Sequence, residues 1–117
     1  MTTLVLVVED DEVSAKTACS ILEGLGCRVH VAINGAEAIE LFSKWSYSLV
    51  LMDWQMPVMN GLEATARMRA MLRGRKTPII GTSSQLGLAA CLAVSMDDLM
   101  AKPFTVENLR SLVSKWI

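Results

Sequence analysis

The sequence predicts an α/β fold in which helices cover both faces of a parallel sheet. A short apolar run followed by a helix-like stretch recurs five times along the 117 residues. The first run, Leu4–Val8, has no polar interruption, which is typical of a strand buried on both faces. Strands that alternate with helices pair in parallel through right-handed crossovers, so we expect one layered domain over residues 1–117.

The first half of the chain supplies two helices and a second strand. Residues Glu12–Leu25 are predicted to form a helix that ends near Gly24 and Gly26. Residues Cys27–Ala32 alternate between apolar and polar side chains, as in an edge or half-covered strand. Asn34 is suited to cap a following helix that runs to about Lys44.

The second half continues the same alternation. The predicted strands are Ser48–Met52, Pro78–Thr82 and a weak Leu99–Ala101, and the predicted helices are Leu62–Leu72, Leu86–Val94 and one from a Thr105 cap through Trp116. A loop that contains Pro57 separates the third strand from its helix.

Charge and cysteine content exclude several classes of function. The net charge is about −1 and the one basic cluster is the short Arg73–Lys76 stretch, so neither nucleic acid nor anionic membrane is expected as the main partner. Three cysteines without a C-x-x-C pair argue against a disulfide framework or a zinc site and favour the cytoplasm. No apolar stretch is long enough to span a bilayer.

Acidic, hydroxyl and basic side chains follow the predicted strands. Glu9 and Asp10 follow the first strand, Asp53 the third, Ser83 the fourth and Lys102 the fifth. The carboxyl ends of parallel strands lie at one edge of the sheet, where ligands bind. Clustered carboxylates need a cation, and hard oxygen ligands suit Mg²⁺. An aspartate held among these groups is placed to attack a phosphoryl group and form an acyl phosphate.

Each of these residues also has a plain structural interpretation. Asp11 and Glu12 either extend the acidic site or stabilise the N-terminus of the following helix. Helix capping explains Asp53 less well, because the next helix begins several residues later, beyond Pro57. Lys102 alone would be a solvated loop lysine, and only its place after a strand end connects it with the acids.

Three motifs occur in order: Leu4-Val5-Leu6-Val7-Val8-Glu9-Asp10-Asp11, Met52-Asp53-Trp54-Gln55-Met56-Pro57-Val58-Met59-Asn60-Gly61, and Lys102-Pro103-Phe104. Together they resemble the receiver domains of two-component response regulators and hybrid sensor histidine kinases, over essentially the whole chain. The resemblance implies a flavodoxin-like, doubly wound five-stranded parallel sheet in the order 2-1-3-4-5 with five helices. It also implies a phosphoryl-accepting switch, not a conventional enzyme, with a histidine kinase or histidine phosphotransfer protein as donor.

The resemblance assigns roles to individual residues. Asp53 is the expected phosphoacceptor, and Ser83 and Lys102 are expected to contact the phosphoryl group. The expected ligands of Mg²⁺ are Asp10, Asp53, the backbone carbonyl of Gln55 and, through a water molecule, Glu9. A cis peptide bond is expected before Pro103.

A docking surface for the phosphodonor is also implied by the resemblance. Its expected residues are Val13, Ser14 and Thr17 on the first helix, with Pro103 and Phe104 beside them. For Val13, packing in the core is an equally simple explanation.

Two departures from the family pattern concern signalling output. Leu99 stands where the family has an aromatic residue that changes rotamer, and the stretch from Ser83 to Lys102 is shorter than usual. An alternative is therefore a receiver-like interaction module that signals without phosphate. A flavin-binding or phosphatase function is disfavoured, because neither a Ser/Thr/Gly-rich loop nor a D-x-D motif follows the first strand.

Overall fold

A computed structural model of the chain describes residues 3–53, 61–71, 76–83 and 96–117. Its strands are β1 (Thr3–Val8), β2 (Cys27–Ala32), β3 (Leu49–Asp53), β4 (Ile79–Ser83) and β5 (Asp98–Ala101). Its helices within those ranges are α1 (Glu12–Gly24), α2 (Gly35–Lys44), α3 (Gly61–Ala70) and α4 (Val106–Trp116). The additional helix predicted over Leu86–Val94 lies outside the described residues.

The five strands form one parallel sheet in the order β2-β1-β3-β4-β5, which confirms the predicted topology. The register pairs Val8 with Ala32 and Met52 on its two sides, and Asp53 with Thr82. The carboxyl ends of the central strands therefore lie side by side. This places the residues that follow β1, β3 and β5 at a common edge.

Alternate residues of the central strands enter two separate apolar cores. Leu6 and Val50 belong to the core on the side of α2 and α3, together with Phe42 and Met68. The second core lies on the side of α1 and α4, and its members include Val5, Leu51, Leu22 and Leu109. Burial on both faces explains why β1 and β3 are uninterrupted apolar runs.

Side-chain caps fix the starts of α2 and α4, and a glycine follows the end of α1. Asn34 accepts a hydrogen bond from the Glu37 N–H at the start of α2, and Thr105 forms a capping box with Asn108 at the start of α4. Gly26 ends the turn after α1 with φ of 91°, a conformation that glycine adopts without steric cost. These caps agree with the predicted helix boundaries. Within the described ranges, every helix is too short or too polar to traverse a lipid bilayer.

Candidate functional site

Buried charged groups meet at the carboxyl edge of the sheet. Glu9 follows β1 and is 1% exposed, and Asp53 ends β3 and is 3% exposed. Lys102 Nζ lies 2.8 Å and 3.1 Å from the two carboxylate oxygens of Glu9 and 3.3 Å from Asp53 Oδ2. The fold thus joins residues that are as many as 93 positions apart in the sequence.

Asp10 completes an acidic cluster on the solvent side. One carboxylate oxygen from each of Glu9, Asp10 and Asp53 lies within 4.8 Å of the others, and Asp10 is exposed where the other two are buried. Asp11 has a different role, because its Oδ2 accepts a hydrogen bond from the Ser14 N–H and caps α1. The structure thereby resolves the two interpretations of Asp11 in favour of the helix cap.

Among the described residues, three carboxylates of this cluster stand against the one ammonium group of Lys102. Burial raises the pKa of Glu9 to about 7, and the negative charge of Asp53 adds to this rise against the opposing effect of Lys102. Burial alone would lower the pKa of Lys102, but its hydrogen bonds to Glu9 and the charges of Glu9 and Asp53 raise it. Three carboxylates around one ammonium group, all with hard oxygen donors, fit a divalent cation such as Mg²⁺.

Ser83 and Gln55 are two further predicted site residues. Ser83 ends β4, and its backbone pairs with Ala101 at the same edge of the sheet as Asp53. Gln55 lies outside the described residues. The peptide bond between Lys102 and Pro103 is cis, as the resemblance implied.

Sequence reasoning assigned the hydroxyl role to Ser83 and gave none to Thr82, which precedes it. Thr82 is the register partner of Asp53, is 1% exposed, and has no hydrogen-bond partner for its hydroxyl in the described part of the chain. The available signal was a hydroxyl residue within an otherwise apolar strand. Its position beside Asp53 is a consequence of the strand register, which cannot be deduced from the residue pattern of a single strand.

The predicted docking residues divide by exposure. Val13 is 72% exposed, and Thr17 and Pro103 are also exposed, whereas Ser14 is half-buried. Phe104 packs in the core with 6% of its surface exposed, so its side chain is not available to a partner. The exposure of Val13 rules out the alternative that it packs in the core.

Leu99 lies on β5, half-buried against the core on the side of α2 and α3. It therefore contributes apolar packing at the position where the resemblance implied an aromatic switch. The shortened stretch after Ser83 lies largely outside the described residues.

Comparison with known proteins is consistent with this site. The model of the response regulator receiver domain family matches residues 5–114. The chain is 35% identical to the hybrid signal transduction protein dokA of Dictyostelium discoideum and 38% identical to the transcription factor SKN7 of Saccharomyces cerevisiae. Each match covers 97% of this chain, but only 7% and 18% of those relatives, so the chain spans less than a fifth of either protein.

Solved structures show the same architecture. The receiver domain of a sensor histidine kinase from Pseudomonas aeruginosa, crystallised with a magnesium ion in its active site cleft, is 33% identical, with a TM-score of 0.92. That match covers 99% of this chain and 98% of the other. A chemotaxis response regulator of Vibrio cholerae is 25% identical, with a TM-score of 0.94 and complete coverage of both chains. This chain belongs to the response regulator receiver domain family.

Proposed function

We propose that this receiver domain accepts a phosphoryl group on Asp53 from the phosphohistidine of a histidine kinase or histidine phosphotransfer protein. The observation that supports this proposal most directly is the position of Asp53 at the end of β3. Its carboxylate is 3.3 Å from the Lys102 ammonium and within 4.8 Å of the carboxylates of Glu9 and Asp10. This arrangement combines an acceptor oxygen with positive charge and metal-binding oxygens, which phosphoryl transfer requires.

In the proposed reaction an Asp53 carboxylate oxygen attacks the phosphorus atom of the donor. A P–O bond forms as the P–N bond to the donor imidazole breaks, and the leaving nitrogen takes up a proton. Lys102 supplies fixed positive charge to the phosphoryl oxygens and is already held 3.3 Å from Asp53 Oδ2. Asp53 is used up as an acceptor when it is phosphorylated and is regenerated when the acyl phosphate is hydrolysed. The domain thus assists its own phosphorylation and dephosphorylation without acting as a conventional enzyme.

Mg²⁺ would be held by Glu9, Asp10, Asp53 and the Gln55 carbonyl, and when bound it supplies positive charge that stabilises the transferring group. Without a cation, Lys102 compensates part of the negative charge of Glu9 and Asp53. Glu9 also helps to position the acceptor Asp53, because both carboxylates contact the ammonium group of Lys102.

Ser83 is proposed to donate a hydrogen bond to the phosphoryl group on Asp53. Its backbone position at the end of β4 supports this role, since β4 neighbours β3 in the sheet. Loss or gain of that hydrogen bond would bias an equilibrium between two states of the domain.

The donor is proposed to dock beside the site, on the exposed side chains Val13, Thr17 and Pro103. The half-buried Ser14 would contribute at the margin of this surface. We propose that the reaction takes place in the cytoplasm, which the three cysteines without a C-x-x-C pair favour.

The direct test is the intact mass of the protein after incubation with acetyl phosphate and Mg²⁺. We expect one added phosphoryl group in the wild-type chain and none in Asp53→Asn or when Mg²⁺ is removed with EDTA. Asp11→Asn is the matched control, since Asp11 caps α1 outside the acidic cluster and asparagine caps equally well. That variant should be phosphorylated as the wild type is.

A receiver-like interaction module that works without phosphate would give a different result. It would show no adduct with acetyl phosphate and no binding of Mg²⁺, while still binding its partner. Leu99 in the position of the aromatic switch is the observation that keeps this alternative open to test.

A further inference from the structure

A groove runs beside α1, on the side of the edge strand β2. Its volume is about 1040 Å³, which is at the upper end of the range for ligand-binding clefts. Ala15 and Cys19 on α1 and Val31 and Ile33 at the end of β2 give it an apolar lining. Ile33 is 58% exposed, so this surface is open to solvent. Glu9 and Asp10 of the acidic cluster line one end of the groove, and the phosphorylation chemistry proposed above makes no use of the rest.

The polar rim of the groove is predominantly acidic. Of the described residues that line it, four carry carboxylates, namely Glu12, Glu23 and the acidic-cluster residues Glu9 and Asp10, and one, Lys16, carries an amine. Lys16 pairs with Glu12 at 3.0 Å in an exposed ion pair, so one amine faces four carboxylates and the net charge of the rim is negative. Glu23 lies close enough to Cys19 that its charge, after the larger effect of burial, contributes to raising the pKa of that thiol.

The acids flank the apolar part. Glu12 and Glu23 are eleven residues apart in α1, which is about three helical turns, so both side chains lie on the same side of the helix about 16 Å apart. Ala15 and Cys19 lie between them. A complementary occupant therefore has an apolar centre and cationic groups toward both ends.

We propose that this groove binds a basic, amphipathic peptide segment of a partner protein, with its apolar side chains on Ala15, Cys19 and Val31 and its Lys or Arg side chains beside Glu12 and Glu23. Charge complementarity and the span of about 16 Å between Glu12 and Glu23 favour a peptide of three helical turns over a compact ligand. The site lies on the side of α1 that faces β2, and only its end at Glu9 and Asp10 adjoins the acidic cluster around Asp53.

The probe is a fluorescein-labelled 12-residue peptide with leucine at helical spacing and lysine at the other positions. We expect saturable binding by fluorescence anisotropy, weakened by added NaCl, and no binding of the same peptide with glutamate in place of lysine. The double variant Glu12→Gln, Glu23→Gln should raise Kd about three- to tenfold, as expected for two exposed ion pairs.

The matched control is Glu40→Gln, Glu107→Gln, which changes the net charge equally. Glu40 forms an i,i+4 ion pair with Lys44 like that of Glu12 with Lys16, but it lies on α2. This control should change Kd by less than about twofold. Equal effects of the two double variants would overturn the proposal, because binding would then depend only on net charge.

Alkylation of cysteine locates the bound peptide. Cys19 lines the groove and is half-buried, whereas Cys27 is buried and does not line it. The peptide should slow maleimide modification of Cys19, measured by peptide mapping relative to the peptide-free rate of each variant, and should leave Cys27 unchanged. Binding without protection of Cys19 would sink the proposal. Equal protection of Cys19 by spermine would contradict a peptide ligand and indicate a small organic cation. Self-association of the chain that is abolished in Glu12→Gln, Glu23→Gln would contradict it as well and indicate a second copy of the chain.

Discussion

Glu9 is the residue at which the proposed chemistry and folding stability conflict most directly. Its carboxylate is almost fully buried and shares the Lys102 ammonium with Asp53. Burial raises the pKa of Glu9 to about 7 from its usual value of 4.5, so ionisation at neutral pH is opposed in the folded protein. A divalent cation would relieve this conflict, and in its absence the ionised side chain destabilises the fold.

Replacement of Glu9 by Gln should therefore stabilise the metal-free protein at pH 8. Because the folded state binds the proton more tightly than the unfolded state, the stability contributed by Glu9 is full below about pH 4.5 and is lost as pH rises through about 7. The glutamine in Glu9→Gln cannot ionise, so this variant keeps that stability at higher pH. We expect a gain of about 2 kcal/mol at pH 8 and almost none at pH 4.5, from urea denaturation in EDTA.

Glu12→Gln is the control for this experiment, since Glu12 is an exposed glutamate in an ion pair with Lys16. It should leave stability at pH 8 almost unchanged, because an exposed ion pair contributes little. A Glu9→Gln variant that is less stable than the wild type at pH 8 would show that ionised Glu9 contributes favourably even without a metal ion.

At the scale of the elements, side chains before and within β5 tie distant segments together. Asp97 Oδ2 accepts hydrogen bonds from Arg69 Nη2 at 2.6 Å and from the Ile79 N–H at 2.8 Å. Arg69 Nη1 also donates to the Thr77 carbonyl at 2.7 Å. These bonds hold the C-terminal end of α3 against the start of β4. They thereby fix the position of β4, the strand whose other end lies at the candidate site.

Removal of this carboxylate should destabilise the fold. Asp97→Ala leaves the Ile79 N–H without its side-chain acceptor and takes a carboxylate away from a guanidinium that is 17% exposed. We expect a loss of about 2 kcal/mol by urea denaturation. Glu40→Ala, which breaks an exposed ion pair on α2, should cost less than about 0.5 kcal/mol. Similar losses in both variants would contradict a structural role for Asp97.

Asp98 attaches α4 to the edge of the sheet. Its carboxylate accepts hydrogen bonds from Lys115 Nζ, Trp116 Nε1 and the Leu99 N–H. Burial alone would raise the pKa of Asp98, but these bonds together lower it. The stability it contributes is thus present above its usual value of 3.8 and is lost as pH falls through the folded pKa.

Asp98→Asn should lower stability by about 1 kcal/mol at pH 7, measured by thermal unfolding. The deficit should disappear at pH values well below 3.8, where the wild-type carboxyl is neutral as well. A deficit of the same size at both pH values would assign the effect to packing instead of charge.

Periodicity and capping residues predicted most of the elements, because both are local properties of the chain. The uninterrupted run Leu4–Val8 and the caps Asn34 and Thr105 lie within a residue of the observed boundaries. The bonds of Asp97 were not predictable, because they join elements that are not consecutive in the chain. The same reason explains the burial of Phe104, which depends on how α4 packs on the sheet.

At the scale of the whole molecule, the candidate site exists only when the sheet is assembled. Glu9, Asp53 and Lys102 lie at the carboxyl ends of different strands, and the predicted strand order was sufficient to place them together. The distribution of charge within the site was not predictable, because the exposure of Asp10 and the ion pair of Glu9 depend on side-chain positions.

A metal ion that binds this assembled site and not the unfolded chain must raise the stability of the whole domain. The added stability is RT ln(1 + [Mg²⁺]/Kd), about 2.7 kcal/mol when Mg²⁺ is at a hundred times its Kd. We expect Tm to rise with MgCl₂ concentration in the wild-type protein and to return to its initial value when EDTA is added. In Asp10→Asn and Asp53→Asn the rise should be largely lost, because each removes a carboxylate from the cluster. Asp11→Asn, whose side chain caps α1 instead, should respond as the wild type does. A rise of equal size in all four proteins would mean that Mg²⁺ stabilises the chain elsewhere, and the acidic cluster would then not be its site.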